Sequence, residues 1–246
     1  MPGMSDVNLH VYATPSDTAS ACATRVVELL NDRLQRARFA TLAVSGGSTP
    51  ALMFRILVTC KVDWTRVHFF QVDERRVPPD DAQSNYRLAQ AELFAPAGIP
   101  SENIHRIYGE LTAEGAAMRY NAEVRDFFKA EPGVMPIFDV IHRGMGAEAH
   151  TASLFPGDPL IGDTTGIAAA VSVPVAPHER ITMLTGPLTA ARHTVMLVAG
   201  SDKAYALKET LGSRHEPFHF PAQIGTWHSP RAEWFVDFPA AAQLPK

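Results

Sequence analysis

Short apolar runs recur along this chain between stretches of helical periodicity, and that alternation limits the possible folds more than any other feature. Runs at 39–44, 67–72, 104–107, 137–141, 168–173, 181–184, 194–198 and 234–236 read as strands. Between them lie helical segments. The first is capped at Ser16 or Asp17 and runs to about Arg38, with Ala19, Ala23, Val26, Val27, Leu30 and Leu34 on one stripe. Others cover 84–94, 112–129 and 201–211, and one is opened by Thr49 as N-cap with Pro50 at the first helical position. Strands that are apolar on both faces and alternate with helices pair in parallel under helices on either side. The expected fold is therefore α/β, a Rossmann-like, mainly parallel sheet with helices on both faces, forming a single domain over 1–246. Residues 1–8 are expected to be flexible, and 213–230, with three prolines, receives no assignment.

The 246 residues are 46% hydrophobic and 20% charged, enough to bury a core and too apolar for disorder. A net charge of -4 gives no basic surface for nucleic acid or an anionic membrane, so neither partner is expected. No apolar stretch approaches a membrane span, and the polar 1–8 segment lacks a leader's apolar core. Cys22 and Cys60 sit in helix-like stretches outside any CxxC, which favours a reducing, cytoplasmic setting.

Two motif matches fail on local grounds. Gly144-Met145-Gly146-Ala147-Glu148-Ala149 fits the GxGxxA dinucleotide fingerprint, but Pro156 and Gly157 arrive before a helix of the required length can form. His215-Glu216-Pro217-Phe218-His219 fits HExxH, but Pro217 breaks the helix that would put both imidazoles on one face.

Four loops carry the chemistry, and in a parallel sheet such loops gather beyond the strands' carboxyl ends. In the first, Gly46 and Gly47 let backbone approach a ligand, Ser48 and Thr49 add hydroxyls, and the following helix favours an anion. The second places Asp73, Glu74, Arg75 and Arg76 directly after a buried strand, with Ser84-Asn85-Tyr86 downstream. In the third, His150 and Glu148 share a glycine-rich loop entering a short helix. The helix dipole lowers the imidazole pKa and the carboxylate raises it, leaving a neutral base near pH 7. In the fourth, Arg192 and Lys203 bracket a strand and could offer positive charge to a phosphate, although a cation of this kind taken alone is more often solvated on the surface.

In order and spacing, SGGSTP at 45–50, DERRVP at 73–78, SNY at 84–86, GMGAEAHTASLFPG at 144–157 and RITMLTGPLTAARH followed by AGSDKA resemble the 6-phosphogluconolactonase family, within a group that includes glucosamine-6-phosphate deaminases. The resemblance implies a hydrolase that opens the lactone of a phosphorylated sugar acid. His150 would be the base, with Asp73 and Glu148 beside it. Asp73 and Arg75 would line the pocket near the sugar. Gly46, Gly47, Ser48, Thr49, Arg192 and Lys203 would hold the phosphate. It implies no metal and no organic cofactor, and a small phosphorylated lactone is the partner expected of a monomer.

The chain departs from the family pattern in Glu148-Ala149-His150, where Asp-Gly-His is usual, and in His142 and Arg143, where apolar residues are usual. A deaminase of the wider group would tend to carry Asp-Glu-Tyr in place of Asp73-Glu74-Arg75. It would also tend to carry Asn-Glu-Pro after the histidine motif. A non-catalytic sugar-phosphate sensor would keep the glycine loop and cations but would not need His150.

Overall fold

The computed structural model describes residues 7–212 and 214–245. The first half of the chain forms β1 (Asn8–Tyr12), α1 (Pro15–Arg36), β2 (Ala40–Val44), α2 (Ser48–Val58), β3 (Val67–Gln71), β4 (Asp73–Arg75), α3 (Asn85–Ala89), β5 (Ile104–His105) and α4 (Ala113–Phe128). The second half forms β6 (Val140–Arg143), β7 (Ala168–Ser172), β8 (Glu179–Met183), α5 (Thr185–Ala190), β9 (His193–Val198), α6 (Ala204–Thr210), β10 (Ala232–Asp237) and α7 (Phe238–Ala241). Seven strands make a parallel sheet in the order β1-β10-β9-β6-β2-β3-β5. As the alternation of strands and helices requires, the fold is α/β, with strand residues alternating between two covered faces. Leu42, Val44, Val140, Val195 and Leu197 pack with α1 and α2. Ala43 and Ile141 pack with α4 on the opposite face, where Met196, Val198 and Trp234 meet α6. Among the described residues, no helix is long and apolar enough to cross a membrane.

Several boundaries differ from expectation for local reasons. Residues 1–6 lie outside the described residues, as does Ser213, but Asn8 opens β1, which pairs in parallel with β10. The α1 cap is Thr14, whose Oγ1 accepts from the Asp17 amide at 3.1 Å, with Pro15 at the first helical position. Helix α2 begins at Ser48 rather than after Thr49. Gly47, at φ 123° and ψ 173°, takes a backbone state reserved for glycine and turns the chain early. The 84–94 helix is α3 followed by a π-helical turn at Gln90–Phe94. The strand expected at 137–141 is β6, which carries His142 and Arg143 into the interior, where burial lowers their pKa values to about 3 and about 9. A second sheet, antiparallel and ordered β4-β8-β7, extends from the carboxyl end of β3.

That extension is fixed by Glu74, which is 1% exposed. Its two oxygens accept from Gln71 Nε2 at 2.8 Å, Ser84 Oγ at 3.0 Å and the amides of Arg75, Asn85 and Tyr86 at 2.8, 2.8 and 2.7 Å. Burial pushes the carboxyl up from the ordinary range while these donors pull it back. The carboxylate thus holds β4 against the first turn of α3, whose own cap is Ser84. Replacing Glu74 with Gln turns an NH2 group towards buried donors, so denaturant unfolding should show a loss of about 2–4 kcal/mol. An unchanged midpoint would contradict this role.

Candidate active site

A cavity of about 230 Å³ opens at the carboxyl ends of β2, β3, β6 and β9. The turn from β2 into α2 forms one wall. Gly46 is pressed against Asn85, whose side-chain oxygen occupies the space a Cβ would need. The free amides of Ser48 and Thr49 begin an 11-residue helix there, and Pro50 in the third position offers none. Ser48, Thr49 and, from the segment after β9, Lys203 complete this end of the cavity. Lys203 Nζ is 2.9 Å from Asp202, and its side chain is 23% exposed.

The opposite wall is β4. Asp73 is buried, and its Oδ2 accepts from Ser153 Oγ at 2.7 Å and its Oδ1 from Asn85 Nδ2 at 3.3 Å. Arg75 lies directly across the antiparallel register from Arg180 of β8, and both line the cavity. Arg75 gives one Nη to the Gln83 carbonyl at 2.7 Å, and Arg180 gives Nε to that of Pro177 at 3.1 Å. Neither forms a salt bridge among the described residues. Like charges facing across strands are unfavourable. Burial first, and then Arg75, lower the Arg180 pKa, and Asp73 opposes them. The pair makes this wall a place for an anion or a developing oxyanion.

The third wall is the loop after β6. It is a string of turns and not the short helix expected after His150, so no helix dipole acts on the imidazole. Thr151 Oγ1 donates to the Gly144 carbonyl at 3.0 Å, the Gly146 amide to that of His150 at 2.9 Å, and the Ser153 amide to Thr182 Oγ1 at 3.1 Å. His150 stacks on Phe155 at 4.1 Å and 17°. Its Nδ1 lies 2.8 Å from Glu148 Oε2, in the space a side chain on Gly146 would fill. With Nδ1–H given to the carboxylate, Nε2 carries the lone pair and has no protein partner among the described residues. Burial lowers the His150 pKa, Glu148 and Asp73 raise it, and Arg180 lowers it; the net shift is downward. The downward shift favours the neutral ring, which offers a lone pair at Nε2.

A family model described as glucosamine-6-phosphate isomerases/6-phosphogluconolactonase matches residues 13–234. The chain belongs to this family. It is 33% identical to a 6-phosphogluconolactonase of Treponema pallidum over 86% of this chain and 90% of that protein. It is also 33% identical to one from Synechocystis over 93% of each. A solved 6-phosphogluconolactonase from Thermotoga maritima superposes with a TM-score of 0.81 at 27% identity, covering 94% of this chain and 99% of that one.

Within this family pattern, the structure brings Gly46, Gly47, Ser48, Thr49, Asp73, Arg75, His150 and Lys203 together around one cavity. Glu148 does not line it but backs His150. Ala149, in place of the usual glycine, takes φ 66°, a left-handed conformation that a Cβ disfavours, and lies buried. Arg192 must be removed from the phosphate set. It precedes β9 and so sits at the amino edge of the sheet, 3.3 Å from Asp139. Arg180 takes its place in the cavity; the signal for it is an arginine entering the apolar run of β8. Ser153 and Asn85 were legible only as parts of longer motifs.

These shifts have a direct readout. In an NMR titration, the His150 ring should change state at a midpoint below its ordinary 6.5. Glu148→Gln removes a carboxylate that favours the imidazolium, so its midpoint should move further down. An upward move would contradict the assigned pairing.

Proposed function

We propose that this protein hydrolyses 6-phospho-D-glucono-1,5-lactone to 6-phosphogluconate, the second step of the oxidative pentose phosphate pathway, and is thus a 6-phosphogluconolactonase. The observation that carries this reading is the paired geometry of the cavity. A neutral imidazole whose Nε2 has no protein partner among the described residues shares the cavity with two arginines that form no salt bridge among them, and a glycine-helix anion seat with Lys203 lies at the other end.

The sugar phosphate docks on the Ser48 and Thr49 amides and hydroxyls and on Lys203, which fixes the distance from phosphate to lactone carbonyl. His150 Nε2 takes a proton from a water as its oxygen adds to the carbonyl carbon. The resulting oxyanion faces Arg75, which is half-buried, and Arg180, which is buried, both already in place. Collapse of the tetrahedral species breaks the ring C–O bond, and the departing ring oxygen takes the proton from His150. Glu148 holds the tautomer throughout, and Asp73, braced by Ser153 and Asn85, balances the two arginines. The deaminase alternative is disfavoured by Arg75 and by Leu154-Phe155-Pro156, which stand where that activity's motifs differ. A sensor would have no use for an oriented His150.

We read the chain further as a monomeric, single-domain cytoplasmic protein. Cys22 and Cys60 are both free thiols, as suits a reducing compartment.

With lactone generated in situ, the protein should accelerate its decay and leave glucosamine 6-phosphate untouched. His150→Ala should lower kcat by about 10²–10⁴-fold with a smaller change in KM, because the phosphate seat remains. Decay at the spontaneous rate in the presence of wild-type protein would refute the activity.

A further inference from the structure

Arg192, absent from the catalytic cavity, belongs to another one. At the amino edge of the large sheet, the Nε atoms of Arg33 of α1 and of Arg192 lie 2.9 and 3.3 Å from a single oxygen, Asp139 Oδ1, as ion-pair contacts, and Arg33 Nε makes no hydrogen bond there among the described residues. The other oxygen, Oδ2, accepts the Thr41 amide and hydroxyl, each at 3.0 Å. One carboxylate, itself held by the sheet, therefore sits in ion-pair contact with two guanidinium groups. The side chains are 36% and 54% exposed, and their outer nitrogens make no hydrogen bond to protein among the described residues. Arg36 is tied to Asp32 at 2.7 Å. Arg231 completes the cavity, of about 500 Å³, with no carboxylate partner among the described residues. Four guanidinium groups against two carboxylates leave an excess of positive charge. The free forks have the planar geometry that grips phosphate oxygens in pairs.

Arg231 also lines an adjoining cavity of about 460 Å³, whose walls include Ile161, Ile224 and Trp227. Trp227 stacks on exposed His215 at 4.8 Å and 23°. This is the histidine of the HExxH match, and here it extends an aromatic platform. Ion pairing with Asp139 and Asp32 would account for Arg33, Arg192 and Arg36. It accounts neither for an unpaired Arg231 nor for an apolar, aromatic cavity meeting the arginines at that residue.

We propose that the two cavities form one site for a nucleoside di- or triphosphate, with the phosphates on Arg33, Arg192 and Arg231 and the base against the Trp227–His215 platform. Stacking on such a platform tolerates any base, and the arginines supply the attraction for the phosphates. The site lies across the sheet from the catalytic cavity, so both can be filled at once.

Calorimetric titration of the full chain with ATP tests this. Saturable binding is expected with Kd below about 1 mM, a range typical of a modest polar site. Inorganic pyrophosphate should compete but bind more weakly, and adenosine alone more weakly still. Arg231→Gln and Trp227→Leu should each weaken ATP by about tenfold, while lactone turnover without ATP stays unchanged in Arg231→Gln. His150→Ala should keep full ATP affinity, which separates this site from the proposed lactone chemistry. The inference is overturned by an absence of saturable binding, by displacement of ATP with 6-phosphogluconate, or by pyrophosphate binding as tightly as ATP with Trp227→Leu unaffected. Retention of affinity in Arg231→Gln would overturn it equally.

Discussion

The carboxylate of Glu74 has both oxygens engaged by five donors and almost no contact with water. Those donors come from β3, β4 and the start of α3, so a single buried charge decides how the chain leaves the parallel sheet. The flanking residues are thereby aimed: Asp73 and Arg75 both line the cavity. The charge is expensive to bury, and full satisfaction of its hydrogen bonds is what makes it tolerable. Asn85 links the same hub to the glycine loop. Its amide donates to Glu74 and its side chain donates to Asp73 while filling the space beside Gly46. The β4 wall and the loop after β6 are in this way hydrogen-bonded to each other through Asp73 and Ser153, and the glycine loop is packed against the same frame at Asn85.

Within that frame, unfavourable charge arrangements are kept where the chemistry needs them. Arg75 and Arg180 oppose each other in register, and neither has a salt bridge among the described residues. Their repulsion is offset in part by Asp73 and is relieved further when an anion arrives. The imidazole illustrates the same balance. Burial against Phe155 favours its neutral form, and Glu148 limits how far that goes. Such opposing contributions place a base in its working state without an external partner.

The parallel sheet was legible because its strands are apolar on both faces, and that pattern has few other solutions. The second sheet was not, because β4 is three charged residues, Asp73-Glu74-Arg75, which carry no apolar strand pattern, and Glu74 is enclosed only by the fold. His150, Asp73, Arg75, Lys203 and the glycine loop could be found because they follow strands. Arg192 misled because sequence proximity to β9 says nothing about which end of the strand a side chain occupies; it precedes the strand, whereas Lys203 follows it. The role of Ala149 was hidden for another reason. Its left-handed backbone is imposed by contacts made elsewhere, including its carbonyl's bond from the Ala222 amide, and no local propensity announces it.

The setting of His150 reaches beyond acid–base strength. Phe155 covers one face of the ring, and Glu148 fixes its in-plane rotation, so Nε2 projects along one line. The anion seat at the start of α2 fixes a second point. On the proposed reading, a substrate held between them would present only one side of its planar carbonyl to the attacking water. Facial selectivity would then be set before any substrate binds. A lactone of different ring size, anchored by the same phosphate, would carry its carbonyl past that line, and ring size would be discriminated by direction rather than by steric exclusion.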